Sequence, residues 1–208
     1  MKQIRIVIFA KVPQAGFAKS RLVPVLGNEG ARVLAQRLLQ HAVSEALLAG
    51  VGPVELCLTP DEAVAASLGV PDTVLRSKQG QGDLGERMAR VAARVVSEGK
   101  AVIIIGTDCP ALDADRLCQI AGGLSLADTV LAPAADGGYV ALGLNRFHPS
   151  LFSNMAWCTD SVAFATLCRL GQLGWSVHQM PMLHDIDRPD DLKWLPAHWP
   201  ETHVQISA

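Results

Sequence analysis

The sequence predicts an α/β domain. Short β-branched runs alternate with stretches at helical spacing along the chain. The apolar runs at residues 4–10 and 101–105 are continuous rather than alternating, as in strands buried on both faces of a parallel sheet. The 208 residues are 50% hydrophobic and 18% charged, which suffices for one core.

Residues 4–10 form the first strand. Pro13, Gly16, Pro24 and Gly27 punctuate residues 11–28 as a loop. Asn28 caps a helix over residues 29–49, where Ala31, Leu34, Ala35, Leu38, Ala42 and Ala46 share a face, and Gly50 and Gly52 end it. Residues 54–59 are a second strand, 61–68 a short helix and 74–79 a weak strand. After the turn at Gly80–Gly82, Asp83 opens a helix carrying Leu84, Met88, Val91, Ala92 and Val95. The run 101–105 is the most hydrophobic and is expected at the centre of the sheet, stopping by Asp108 because Pro110 cannot extend a central strand. Residues 113–124 read as helix, and 129–133 and 139–144 as strands around Ala134-Ala135-Asp136-Gly137-Gly138. A helix from Thr159 or Asp160 to about Leu173, a strand over 175–182 and a short helix ending at Trp194 complete a single domain, residues 1–195. Residues 196–208 are expected as a peripheral tail.

Eighteen Lys and Arg against twenty Asp and Glu leave a formal charge of −2, with no broad basic face for nucleic acid. No apolar run reaches the roughly 7–15 residues of a secretory core or the about 20 of a membrane helix. The five Cys are odd in number and lack CxxC spacing, so reduced thiols in the cytoplasm are expected rather than disulfides or a zinc site.

Four polar segments follow predicted strand ends, where open α/β sheets bind ligands. The first, from Lys11 to Leu22, holds Lys11, Lys19 and Arg21 around Gly16. Such a loop can wrap a pyrophosphate, yet it has neither a Walker nor a dinucleotide pattern, and a solvated basic loop is the alternative. The second is Gly106-Thr107-Asp108-Cys109-Pro110. Asp108 suits Mg²⁺ or Mn²⁺ through hard oxygen, or caps the next helix; Cys109 has no nearby His to make it a nucleophile. In the third, the two glycines beside Asp136 bring backbone close to something, an acceptor or sugar, or form a plain hairpin turn. The fourth is residues 184–192, where Asp185 and Asp187 alternate onto one side and Asp190 and Asp191 follow Pro189 as a helix cap. The Gly80–Arg87 segment is a base- or substrate-facing loop, or only a helix start.

KVPQAGFAKSRL, QGQGDLGERM, GTDCPAL, PAADGGYVALGL, AWCTDS and DIDRPDDL, in that order, resemble the small bacterial glycosyltransferase-like transferases. These are the radical-SAM/selenodomain-associated family, related to phospholactate guanylyltransferase. The resemblance spans roughly residues 4–195. It implies the nucleotide-diphospho-sugar transferase fold of GT-A type: a Rossmann-like three-layer α/β/α sandwich on a mixed, mostly parallel sheet. It further implies a nucleotide or nucleotide-sugar donor, a small acceptor and a divalent ion, Mg²⁺ or Mn²⁺. Lys11, Gly16, Lys19, Ser20 and Arg21 match the phosphate-contacting loop, with Ser20 where the family commonly has Thr. Asp108 matches the metal-binding acid, a lone Asp where metal-dependent glycosyltransferases carry Asp-x-Asp. Asp187, or its neighbour Asp185, matches a second metal contact. Asp136, Gly137, Gly138 and Trp157 match positions near the acceptor, and Lys19, Asp108 and Asp136 are the expected catalytic residues.

The function expected from this is glycosyl transfer from a nucleotide-diphospho-sugar to a small acceptor. The alternatives are nucleotidyl transfer from an NTP to a phosphorylated acceptor with release of pyrophosphate, and nucleotide binding without turnover.

Overall fold

The computed structural model describes residues 2–60 and 68–199. Seven strands, β1 (Ile4–Lys11), β2 (Val54–Thr59), β3 (Leu75–Lys78), β4 (Ala101–Ile105), β5 (Thr129–Pro133), β6 (Tyr139–Leu144) and β7 (Val177–Gln179), form one sheet in the order β3-β2-β1-β4-β6-β5-β7. β1 to β4 pair in parallel, β6 runs antiparallel to both β4 and β5, and β7 is parallel to β5. Only β6 opposes the rest. β4 is central and buried at every residue, as its composition requires.

Side-chain alternation divides the core. On β1, Ile4, Ile6, Ile8 and Ala10 face a layer made by α1 (Val23–Ala49) and α3 (Ala114–Gly123). Val7 and Phe9 face the layer of α2 (Leu84–Ser97) and α4 (Val162–Gln172). The result is the three-layer sandwich. The ends of β1, β4 and β5 and the start of β6 gather on one edge, bringing the polar segments together.

Two elements differ from expectation. Residues 20–26 are helical rather than loop: Ser20–Leu22 is a 3-10 turn running into α1, with a break at Gly27 (φ 68°, ψ 170°). Burial of Leu22 and Leu26 with Leu34, Leu38 and Ile186 offsets the Pro and Gly punctuation. The late strand keeps only three residues in the ladder. Trp175 turns into the core before it, and beyond it the Met180 amide donates to the Leu131 carbonyl (2.9 Å). Past Pro181, which has no N–H to give, Leu183 makes an isolated bridge, its amide donating to the Pro133 carbonyl (3.0 Å) and its carbonyl accepting from the Ala135 amide (2.9 Å). At the C-terminal side, Trp199 packs edge-on against His41 (centroids 5.3 Å apart) with Arg37 over its ring. The helix expected over residues 61–68 lies, apart from Leu68, outside the described residues.

α2 opens on a reciprocal cap. Asp83 Oδ1 accepts from the Glu86 amide (2.8 Å), and Glu86 Oε2 accepts from the Asp83 amide (2.8 Å). This fixes where Leu84 and Met88 emerge.

Candidate functional site

The loop after β1 is folded inward by its own backbone. The Phe17 and Ala18 amides donate to the Gln14 carbonyl, with Gly16 at φ 78°. Lys19 then takes a left-handed conformation (φ 51°, ψ 43°), which costs an L-residue about 1–2 kcal/mol. Ala18 and Leu22 on either side are buried. So held, the Lys19 side chain is only 6% exposed, and its Nζ lies 2.8 Å from Asp108 Oδ1 while also donating to the Ile186 carbonyl. Arg21, further out, pairs with Asp187.

The segment after β7 is anchored at Ile186, fully buried against Leu22, Leu34 and Leu38. The Ile186 amide donates to the Asp108 carbonyl at 2.7 Å, stitching this segment to the end of β4. Asp185 and Asp187 flank that anchor. Asp191 Oδ2 accepts the amides of Asp187 (3.0 Å) and Arg188 (2.6 Å), capping the 3-10 turn Pro189–Trp194. Asp108 caps nothing; the cap of α3 is Asp113. Thr107 donates to Asp108 Oδ1 (3.1 Å).

These groups open on a cavity of about 720 Å³. Asp108, Asp136, Asp185, Asp187, Asp191 and Asp160 line it with Arg21 and Arg188, while Phe9, Leu84, Met88, Tyr139 and Trp157 form an apolar wall. Asp185 is held above the ordinary carboxylate range, first by burial and then by the charges of Asp136, Asp108 and Asp191. Asp136 Oδ1 accepts from the Gly138 amide (2.8 Å).

Of the residues singled out in the sequence, Arg21, Asp108, Asp136, Gly138, Trp157, Asp185 and Asp187 line the cavity, and Lys19 reaches it through Asp108. Lys11, Gly16, Ser20 and Gly137 are not on the lining. What Gly137 approaches is the protein: a Cβ there would stand 2.0 Å from the Asp160 carbonyl oxygen, and its own carbonyl accepts from the Ala163 amide (2.9 Å) at the start of α4. The turn is thus a hairpin link between β5 and β6 that also presents Asp136 and Gly138 to the cavity.

The Gly80–Arg87 segment is braced from within. Arg90 donates to the Gln79 and Gln81 carbonyls and Arg87 to the Gly82 carbonyl (2.8 Å), and Leu84 is the part of it that faces the cavity. Burial pushes the Cys109 thiol up to about 11, which removes it as a nucleophile.

Sequence reasoning placed Leu84 and Arg188 only within candidate segments and missed Asp160 and the wall residues Phe9, Met88 and Tyr139. The spacing of Leu84 and Met88 on α2 is indistinguishable from core packing until β6 and the 157–160 turn are in place.

Asp108 and Asp187 offer hard carboxylate oxygen, which fits Mg²⁺ or Mn²⁺. Among the described residues no group of three or more His, Cys, Asp or Glu is arranged around one point to hold an ion. Two carboxylates completed by phosphate oxygens and water are, however, the usual Mg²⁺ arrangement. The crowding of acids that raises Asp185 is what a cation relieves. The donor chemistry suits such an ion. Among the described residues no helix is long and apolar enough to cross a membrane.

The chain belongs to the family described as "Uncharacterized protein conserved in bacteria (DUF2064)", whose model matches residues 39–159. No curated protein matches it. Among solved structures it is similar to the "putative nucleotide-diphospho-sugar transferase" of Desulfovibrio desulfuricans G20. The identity is 28%, over 92% of this chain and 85% of that one, with a TM-score of 0.84. It shares the fold of the manganese complex of Rv0371c from Mycobacterium tuberculosis H37Rv (18% identity, 92% of this chain and 96% of that one, TM-score 0.54). It also shares the fold of a 4-diphosphocytidyl-2C-methyl-D-erythritol synthase from Anaerococcus prevotii DSM 20548 (11%, 93% and 96%, TM-score 0.58).

Proposed function

We propose that this transferase binds the diphosphate of a nucleotide-activated sugar between its basic loop and a divalent ion on Asp108 and Asp187, and passes the sugar to a small acceptor at Asp136. The observation that carries the reading is the convergence of Lys19 on Asp108 and of Arg21 on Asp187 at one cavity. Such a pairing of cations with metal-type acids is what a diphosphate and its ion would enter. The name of the Desulfovibrio relative points the same way.

Lys19 and Arg21 neutralise the phosphate oxygens of the leaving nucleotide, the largest expected contribution to rate. Asp108 and Asp187 would hold the ion, which would supply Lewis-acid neutralisation of the charge on the leaving diphosphate. Asp136 takes the proton of the acceptor hydroxyl as the new glycosidic bond forms and the sugar–phosphate bond breaks. Its carboxylate is aimed by the Gly138 amide. The apolar wall keeps water from the sugar carbon.

Nucleotidyl transfer is the second reading, favoured by the lone Asp108 and by the synthase among the fold neighbours. An acceptor phosphate already carries its negative charge, so it needs no base and meets a cavity rich in carboxylates. That favours a hydroxyl acceptor and hence glycosyl transfer.

Incubation with Mg²⁺ and a panel of nucleotide-sugars and NTPs tests both. Release of a nucleoside diphosphate from a nucleotide-sugar supports glycosyl transfer; pyrophosphate that appears only with acceptor replaces it by nucleotidyl transfer. Binding without turnover of any donor overturns both in favour of a nucleotide sensor.

A further inference from the structure

We infer that the acceptor is a neutral alcohol with a compact apolar body, an aryl or branched-alkyl alcohol rather than a sugar. This rests on the transferase reading above and concerns the apolar wall, which that reading uses only to exclude water.

Phe9 from β1, Leu84 and Met88 from the first turns of α2, Tyr139 from the start of β6 and Trp157 from the turn before α4 converge beside Asp136. They form one wall, continuous with the acidic end. Gly85 is the condition for it: a Cβ there would stand 2.5 Å from Trp157 Nε1 and from the Phe152 carbonyl oxygen, so only glycine lets the indole lie against α2.

The polar groups of this wall are few. Among the described residues Trp157 Nε1 has no hydrogen-bond partner and is buried away from any ligand, and the Tyr139 hydroxyl has only the Met88 sulfur, at 4.0 Å. A sugar would bring several hydroxyls, and each one left unpaired on such a wall costs about 1–3 kcal/mol. A nucleobase, with donors and acceptors along its edge, matches no better. A neutral body with one hydroxyl brings the fewest polar groups to leave unpaired there and gains roughly 25 cal/mol per Å² of apolar surface buried. The acid-rich end adds a second selection, because an anionic acceptor would be repelled where an uncharged hydroxyl meets a carboxylate that takes its proton.

Ligand-observed NMR on the full chain with Mg²⁺ tests this, using benzyl alcohol and 2-phenylethanol against glucose and glycerol. The aryl alcohols are expected to bind at least about tenfold tighter, the ratio for about 1.4 kcal/mol. Leu84→Gln, on a partly exposed helix start, and Trp157→Ala are each expected to erase that preference in protein whose melting shows it folded. Glucose binding as well as the alcohols, or alcohol binding indifferent to both variants, overturns the inference, as does displacement of benzyl alcohol by a free nucleoside. A nucleotide titration on the same sample keeps the two readings apart. If nucleotide binds while glucose beats the alcohols, only the acceptor class falls; if no nucleotide binds, the transferase reading falls.

Discussion

Lys19 Nζ lies 2.8 Å from Asp108 Oδ1, joining the loop after β1 to the end of the central strand through a side chain 6% exposed. The ammonium is held beside Asp108 by a left-handed backbone that glycine would adopt more readily. A position that spends conformational energy to aim a charge is a mark of a working site.

Lys19→Ala is expected to weaken nucleotide binding by about 1.5–3 kcal/mol, the worth of a charge-assisted phosphate contact, read by calorimetric titration with Mg²⁺. Lys19→Gly removes the same contact but relieves the backbone. It should melt higher than Lys19→Ala, by roughly 1 kcal/mol of stability. Equal affinity in parent and variants would show that the loop does not touch phosphate.

Burial gives Cys109 a thiol near 11, while Cys118, Cys158 and Cys168 are exposed and Cys57 is buried. Only the thiolate reacts. Iodoacetamide at pH 8 should therefore label Cys118, Cys158 and Cys168 and leave Cys57 and Cys109 untouched, with Cys109 becoming reactive only as pH approaches its raised value. Peptide mass analysis reads this directly; early loss of Cys109 would contradict the packing assigned to it.

Asp185 supplies a pH dependence of definite sign. Burial and the neighbouring charges of Asp136, Asp108 and Asp191 raise its folded value above that of the unfolded chain. The native state then holds the proton to higher pH, so stability falls as pH rises through the window between the two values. Above that window the penalty is complete. Asp185→Asn should accordingly raise the melting temperature of the metal-free protein at neutral pH, with the gain vanishing below the ordinary carboxylate range. A gain that grew on acidification would refute this.

The fold was legible where burial alone decides. The 101–105 run was placed at the centre of the sheet because all five residues are apolar, and β4 lies there. Residues 20–26 read as loop in the sequence because local punctuation by Pro24 and Gly27 says nothing of Leu22 and Leu26 meeting Ile186, far along the chain. At the site, cations and acids were legible as residue types after strand ends. Their pairing, Lys19 with Asp108 and Arg21 with Asp187, depends on Ile186 being buried and bonded to the Asp108 carbonyl. The apolar wall was hidden because Met88 at helical spacing serves a core as well as a cavity.

The same hairpin that carries Asp136 yields the last prediction. Gly137 sits at φ 89°, and a Cβ would stand 2.0 Å from the Asp160 carbonyl oxygen and 2.3 Å from its Cα. Backbone cannot yield as a flexible side chain can, so the turn and the start of α4 must part. Gly137→Ala is expected to lose on the order of 2 kcal/mol from the left-handed strain together with the contact. It should also release the Ala163 amide, which donates to the Gly137 carbonyl at 2.9 Å. Hydrogen exchange should then accelerate at the first turn of α4 while the amides of β4 stay protected. Gly138→Ala is the control: its Cβ would meet only the Asp136 carboxylate, at 3.1 Å from Oδ1, a side chain able to shift. It should leave α4 protected and disturb only the aim of Asp136. Equal exchange at α4 in parent and Gly137→Ala would mean that the turn does not hold the helix.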